Sequence, residues 1–175
     1  MEKKLKGRAW KFGDNINADE ACQFYKNMNM DLNNREALAG ICMTGYDSDF
    51  PNKAKEGDFI VGGKNFGSGH MHAHFYYSIK ALGIRAVIAE SVFHRLYREA
   101  INSGLPIIIC PSTKAIQNGD PIEIDLEKGV ITNERTEEVI RSETLSPLLE
   151  EIIEQGGIDR YIKLRLEKLS SGTGT

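Results

Sequence analysis

The middle third of the chain alternates short apolar segments with amphipathic ones, and this order restricts the possible folds. Residues 58–62, 85–89 and 105–110 have the length and apolar composition of buried strands. Helical periodicity runs from about 71 to 82, and a second amphipathic stretch follows Ser91, a residue type that often caps helices. A strand–helix–strand–helix–strand order predicts an α/β fold in which helices pack on a buried parallel sheet.

The remainder of the chain predicts further elements. Residues 122–132 alternate apolar and polar side chains around a glycine turn, which predicts a hairpin with one solvated face. Ser146-Pro147 predicts the start of a C-terminal helix. A second helix carries an apolar stripe that is predicted to face the core and consists of Ile158, Tyr161, Ile162, Leu166 and Leu169. Because no repeat or linker divides the chain, we expect one domain over residues 1–169 and a flexible tail over 170–175.

Composition and charge exclude several classes of protein. The 175 residues are 41% hydrophobic and 27% charged, as in a soluble globular domain. The net charge is −3 and the basic residues are scattered, which argues against a nucleic-acid surface. No apolar run suits a membrane span or a secretory signal, so a cytoplasmic protein is expected. The distant cysteines Cys22, Cys42 and Cys110 form no Cys-x-x-Cys pair and predict free thiols.

A glycine-containing loop with three alternating histidines lies between a predicted strand and a predicted helix. It covers residues 65–75 and reads Asn-Phe-Gly-Ser-Gly-His-Met-His-Ala-His-Phe. Backbone N–H groups at such a junction point outward and favour anions. Ligands of parallel sheets lie beyond the carboxyl ends of the strands, where this loop is expected. The sequence therefore predicts the functional site at this loop.

Several motifs, in one collinear order, resemble the small subunits of 3-isopropylmalate dehydratase. Residues 13–20, Gly-Asp-Asn-Ile-Asn-Ala-Asp-Glu, are similar to the opening motif of that family, and residues 57–67 look like its strand and glycine loop. Residues 80–89, 97–102 and 119–129 continue the match towards the C-terminus. The resemblance therefore covers nearly the whole chain.

This resemblance implies a swivelling β/β/α domain as in the fourth domain of aconitase, with a central, largely parallel sheet and flanking helices. It implies a hydro-lyase of leucine biosynthesis that dehydrates and rehydrates a 2-hydroxy-dicarboxylate and is inactive without its large subunit. A [4Fe–4S] cluster, one iron of which acts as a Lewis acid, is expected on that separate subunit. No cofactor or metal is expected on this chain.

The loop departs from the family pattern, Asn-Phe-Gly-x-Gly-Ser-Ser-Arg-Glu-His, at the positions that carry the chemistry. His70 stands where the family has its proton-abstracting serine, and His72 stands where it has its substrate-binding arginine. Met71 and Ala73 replace the second serine and the glutamate, and His74 alone matches in this half. The resemblance thus identifies the reaction class but leaves the usual base and carboxylate ligand unaccounted for.

The sequence leaves three interpretations of this loop open. In the first, the subunit is active on isopropylmalate or on another hydroxy-diacid of the dimethylmalate or homoaconitate type. His70 would then be the base, because imidazole titrates near neutrality, and His72 would bind a carboxylate without the fork of an arginine. In the second, His70, His72 and His74 bind zinc or nickel. In the third, catalysis is lost, and the domain binds a ligand or regulates a large subunit.

The predicted substrate-binding residues lie in the loop and in two segments near the N-terminus. They are Asn65, Gly67, Ser68, Gly69, His72, His74, Asp14, Tyr25 and Lys26. Tyr25 and Lys26 fall where the family has its substrate-selecting segment. Asp14 and Asp19 belong to a turn-rich segment, where they either orient a base or bond only to their own backbone. The family match favours a site role for Asp14.

Overall fold

The computed structural model describes residues 4–70 and 72–172. Its strands, in chain order, are β1 (Lys4–Lys11), β2 (Phe59–Val61), β3 (Ala86–Ala89), β4 (Ile107–Ile109), β5 (Pro121–Asp125), β6 (Val130–Asn133) and β7 (Val139–Arg141). They form a seven-stranded sheet in the order β4-β3-β2-β1-β5-β6-β7. The three strands predicted between residues 58 and 110 and the predicted hairpin are therefore confirmed as β2, β3, β4 and the pair β5–β6.

The sheet is mixed, and β1 joins its two halves. β1 pairs parallel with β2, with Ala9 opposite Phe59, and antiparallel with β5, with Leu5 opposite Ile124. The pairs on the β4 side are parallel and those on the β7 side are antiparallel. The expectation of a largely parallel sheet thus holds for one half only, because the hairpin adds to the edge of β1 instead of forming a separate layer.

The helices that the structure describes are α1 (Ala18–Ala21), α2 (Phe24–Asn27), α3 (Arg35–Gly40), α4 (Phe50–Lys53), α5 (Ala73–Ala81), α6 (His94–Asn102), α7 (Pro147–Glu154) and α8 (Ile158–Ser170). The helix expected after Ser91 begins three residues later, at His94. Ser91 does not cap it, because its hydroxyl and carbonyl oxygens accept hydrogen bonds from the backbone N–H groups of Asn65 and Phe66. None of these helices has the length and apolar character that a membrane crossing requires.

Apolar side chains cover both faces of the parallel half of the sheet. Alternate residues of β2 and β3 point to opposite faces, so Ile60 and Val87 contribute to one cluster and Phe59 and Ile88 to the other. The first cluster also receives the side chains of α5 and α6, and the second receives those of the hairpin. The parallel strands are therefore buried on both sides, as their continuous apolar composition predicts.

Helix α8 is less buried than its sequence predicts. Ile158 and Tyr161 pack against a small cluster with Ile152 and Ile153 of α7. The later residues of the predicted inner stripe are exposed, with 48% exposure for Ile162, 57% for Leu166 and 65% for Leu169. The prediction was wrong for these three residues because no other element of the described chain covers them. The predicted tail lies partly outside the described residues, at 173–175, whereas Ser170 still belongs to α8.

A buried carboxylate ties the hairpin together. Asp120, which directly precedes β5 and is 3% exposed, accepts hydrogen bonds from Arg135 Nε (2.5 Å), Arg135 Nη2 (3.1 Å), Asn133 Nδ2 (2.6 Å) and the backbone N–H of Gln117 (2.8 Å). The Arg135 guanidinium is the main cause that lowers the pKa of Asp120 to about 2, with the two amide donors adding to the effect. Folding therefore favours the ionised form of Asp120.

We expect Asp120→Asn to lower the free energy of unfolding at pH 7 by about 1–3 kcal/mol, because a buried charged hydrogen-bond acceptor is lost. Since the pKa of Asp120 is lower in the folded state, its contribution is complete above the ordinary value of 3.8 and disappears as the pH falls towards about 2. Urea unfolding of both proteins between pH 5 and pH 2 measures this. Equal pH dependence of wild type and Asp120→Asn in this range contradicts the assignment.

Candidate active site

Two segments meet at the carboxyl edge of the parallel strands. Residues 13–19 follow β1 and residues 62–70 follow β2, and because the two strands are parallel, both segments leave the sheet at the same edge. Backbone hydrogen bonds join the segments along their length: Gly63 N to Gly13 O (3.2 Å), Asn15 N to Lys64 O (2.7 Å), Gly67 N to Ile16 O (2.8 Å) and Ala18 N to Ser68 O (2.8 Å). The predicted loop and the predicted N-terminal motif therefore form one structure.

The backbone N–H groups of the loop are used within the protein. Lys64 N donates to Asp14 Oδ1 (2.8 Å), and Ser68 N, like Gly67 N, donates to the carbonyl of Ile16. The backbone N–H groups of Asn65 and Phe66 donate to the hydroxyl and carbonyl oxygens of Ser91. In this conformation residues 64–68 do not present their N–H groups to an anion, contrary to the sequence expectation. Asp14 acts here as an acceptor that orders the start of the loop.

The two loop glycines are required by contacts inside the chain. Gly67 has φ +78°, and a Cβ atom at this position would lie 2.1 Å from Leu96 Cδ2. Gly69 has φ +96°, and its Cβ would lie 2.8 Å from Asn17 Oδ1. A side chain is disfavoured at both positions by the backbone conformation and by the space available. The glycines therefore permit the close approach of the loop to residues of this protein.

Gly67→Ala tests this packing. The left-handed backbone costs about 1–2 kcal/mol for a residue with Cβ, and overpacking against Leu96 adds about 1–3 kcal/mol, so we expect a loss of about 2 kcal/mol or more in stability. Gly40→Ala is the matched control, because its added Cβ would have no neighbour within 4 Å apart from the adjacent residues and the backbone of its own helix. Thermal or denaturant unfolding should show Gly40→Ala near wild type. A stable Gly67→Ala protein would show that the loop is not held by this contact.

Asp19 and His72 form a pair at the end of the loop. Asn17 caps α1 by accepting hydrogen bonds from the backbone N–H groups of Asp19 (2.9 Å) and Glu20 (3.2 Å), and this fixes the position of Asp19. The Asp19 carboxylate is 6% exposed, and its Oδ1 accepts from the backbone N–H of His72 (3.3 Å) and lies 2.8 Å from His72 Nδ1. Asp19 therefore binds the backbone N–H of His72 and also orients its ring through Nδ1.

Phe24 supports the His72 ring from one side. The two rings stack with centroids 3.5 Å apart and an interplanar angle of 3°. The His72 side chain remains 41% exposed. Phe24 also contacts His74 edge-on, with centroids 5.1 Å apart. The pairing and the stacking together hold the ring of His72 in one plane at the protein surface.

The three histidines of the loop lie in different environments. His74 is 7% exposed, and both of its ring nitrogens lack a hydrogen-bond partner in the described part of the protein. His70 is exposed, and its carbonyl oxygen accepts a hydrogen bond from Arg95 Nη1 (3.0 Å). Among residues 4–70 and 72–172, no group of three or more His, Cys, Asp or Glu side chains is arranged to hold a metal ion. Met71, the second departure from the family pattern, lies outside the described residues.

An open groove borders the Asp19–Phe24 region. It has a volume of about 500 Å³ and is lined by Asp19, Glu20, Gln23, Phe24, Tyr25, Lys26, Thr44 and Gly45. Tyr25 is 73% exposed, and Lys26 Nζ donates to Gln23 Oε1 (2.8 Å). The structure thus brings the predicted substrate-selecting residues to the same groove as Asp19. Sequence reasoning missed Phe24, because no local pattern relates a residue of α2 to one that precedes α5.

Cys22, Cys42 and Cys110 are free, as predicted, and the structure shows that all three are buried. Burial raises the pKa of the Cys22 thiol to about 12 and that of Cys110 to about 11, and it also raises the pKa of Cys42 above its ordinary value. Thiols of this kind are protonated at neutral pH and are poor nucleophiles and metal ligands. The three thiols are therefore poor candidates for a nucleophile or a metal ligand.

Comparisons with known proteins agree with this architecture. The family model of the aconitase C-terminal domain matches residues 7–110. The chain belongs to the aconitase C-terminal domain family. It is 42% identical to the isopropylmalate/citramalate isomerase small subunit of Methanocaldococcus jannaschii, over 95% of this chain and 98% of that protein. It is also 42% identical to the 3-isopropylmalate dehydratase small subunit of Aquifex aeolicus, over 98% of this chain and 99% of that protein.

The fold comparison gives the same result. A solved structure of 3-isopropylmalate dehydratase from Methanocaldococcus jannaschii matches with a TM-score of 0.89 and 42% sequence identity, covering 98% of this chain and 99% of that chain. The resemblance inferred from the motifs is therefore confirmed over essentially the full length. The β/β/α fold expected from it is the fold that the structure has.

Proposed function

We propose that this chain is the small subunit of an aconitase-type hydro-lyase that isomerises or dehydrates a 2-hydroxy-dicarboxylate together with a separate large subunit. The observation that carries the proposal is the full-length similarity to proteins named as small subunits of 3-isopropylmalate dehydratase or of isopropylmalate/citramalate isomerase. The corresponding pathway is leucine biosynthesis, and the corresponding location is the cytoplasm. The large subunit carries the [4Fe–4S] cluster of the complex.

The donor set of this chain agrees with a cluster on the partner. Fe–S clusters are held by cysteine thiolates, whereas the three cysteines here are buried, protonated and far apart in sequence. When bound to the large subunit, the cluster would supply a Lewis acid that accepts the departing hydroxyl group. The contribution of the small subunit is then a group that transfers a proton, contacts to the substrate carboxylates and exclusion of water from the closed site.

The contacts of His72 favour a hydroxy-diacid that differs from the usual family substrate. In the family pattern an arginine at this position binds a substrate carboxylate, but His72 Nδ1 is already paired with Asp19 at 2.8 Å. A second carboxylate would have to share this donor or be bound elsewhere. Lys26 and Tyr25, beside the groove of about 500 Å³, are the cation and hydroxyl that remain available for that purpose. A substrate of the citramalate, dimethylmalate or homoaconitate type is the second candidate.

Co-expression with a large subunit tests the proposal. The partner should be a protein from the same genome with the cluster-ligand pattern Cys…Cys-x-x-Cys, and the cluster should be reconstituted without oxygen. We expect alkene absorbance to appear with at least one member of a panel of 2- and 3-hydroxy-diacids, only when both subunits are present. A stable complex with an intact cluster that converts no member of the panel contradicts the proposal and favours a binding or regulatory subunit.

A further inference from the structure

We infer that His72, oriented by Asp19 and Phe24, is the residue of this subunit that transfers the proton to and from the substrate carbon. The inference rests on the proposed hydro-lyase function and differs from the sequence prediction, which gave this role to His70. Asp19 and Phe24 are positioning residues, because they contact the ring of His72 and not the reacting atoms. Both residues also line the groove of about 500 Å³, so the pair lies at its border.

The hydrogen bond to Asp19 determines which ring nitrogen of His72 is free. A carboxylate can only accept, so the neutral ring must carry its proton on Nδ1, 2.8 Å from Asp19 Oδ1. Nε2 then holds a lone pair and points away from the buried carboxylate. No hydrogen bond to His72 Nε2 is present within the described part of the chain. This is the arrangement of an oriented general base.

The stacking on Phe24 removes the remaining rotational freedom of the ring. With the ring planes within 3° and the centroids 3.5 Å apart, rotation about the Cβ–Cγ bond would break both the stack and the hydrogen bond to Asp19. The 41% exposure of the side chain leaves an open edge for the substrate. A group fixed in this way loses little entropy when the reaction begins, which is the main advantage of a preorganised base.

The other two histidines of the loop lack this combination of support and access. His70 is exposed, and its ring forms no hydrogen bond or aromatic contact within the described residues, so nothing fixes its tautomer or direction. His74 is 7% exposed and packs edge-on against Phe24, so the protein itself covers its nitrogens. His72 is the loop histidine that is both oriented and accessible.

The reaction step balances without an added reagent. His72 Nε2 takes the proton from the carbon next to the one that bears the hydroxyl group. The electron pair of the broken C–H bond becomes the second bond of the alkene, and the hydroxyl group leaves with the electron pair of the C–O bond. The proton held by the imidazolium and the departing hydroxide together make the released water. In the hydration direction the imidazolium returns the proton to carbon.

The first test uses the full chain alone and reads the tautomer of His72. Nitrogen-15 spectra of the histidine rings, assigned with His72→Gln and recorded at a pH where the rings are neutral, should show the Nδ1–H form for His72. Asp19→Ala should shift His72 towards the Nε2–H form that free imidazole prefers, while His94 should not change. A wild-type His72 in the Nε2–H form contradicts the proposed orientation, whatever the activity of the complex.

The second test uses the reconstituted two-subunit complex. We expect His72→Gln to lower kcat by about 10²–10⁴-fold, the usual contribution of a general base, with a much smaller change in KM. Asp19→Asn should lower kcat by up to about 10⁴-fold, because the amide no longer holds the ring in the Nδ1–H tautomer. His94→Gln, on the exposed start of α6, is the matched control and should retain wild-type kcat.

The outcomes separate this inference from the proposed function. A wild-type complex without turnover contradicts the hydro-lyase function and, with it, the role of His72. A wild-type complex that is active while His72→Gln is equally active contradicts the role of His72 alone. Retained turnover in His72→Gln combined with loss in His70→Gln would return the role of base to His70. A higher KM with an unchanged kcat in His72→Gln would assign His72 to carboxylate binding and contradict its role as the base.

Discussion

The parallel pairing of β1 with β2 is the constraint on which the site depends. Because both strands point the same way, residues 13–19 and 62–70 leave the sheet together and satisfy each other's backbone groups. Gly67 and Gly69 allow the two segments to approach more closely than side chains would permit. The backbone of the loop is therefore held in one place by the fold, and this also fixes the position of the side chains at its end.

This constraint changes the role expected of the glycine loop. Its N–H groups between residues 64 and 68 hydrogen-bond within the chain and hold the loop in place, so they are not free to bind an anion. The capped helix α1 places Asp19 beneath the loop, and α2 places Phe24 beside it. His72 is then held by three contacts: a backbone hydrogen bond, a ring hydrogen bond and an aromatic stack. The backbone contacts of residues 64–68 do not involve His70 or His72, which differ from the family pattern. The loop can therefore keep its conformation although these residues differ.

The correct and the wrong predictions have a common explanation. Strands β2, β3 and β4 are buried on both faces, so each has a continuous apolar run that predicts a strand. β1 alternates basic residues with Leu5 and Ala9, a weaker signal, and was not predicted. The periodicity of α8 correctly predicts that its apolar residues share one face of the helix. It does not predict whether another element packs on that face. Exposure of Leu166 and Leu169 is a property of neighbouring elements, which the stripe itself does not encode.

The sequence by itself determined the family, the order of the central elements, the position of the glycine loop and the free thiols, because these follow from local patterns and short motifs. Only the tertiary structure decided which histidine is oriented. Asp19 lies in α1, Phe24 in α2 and His72 directly before α5, 53 residues after Asp19. Their contact exists because two parallel strands deliver distant segments to one edge of the sheet, and no local pattern records a distance of that kind.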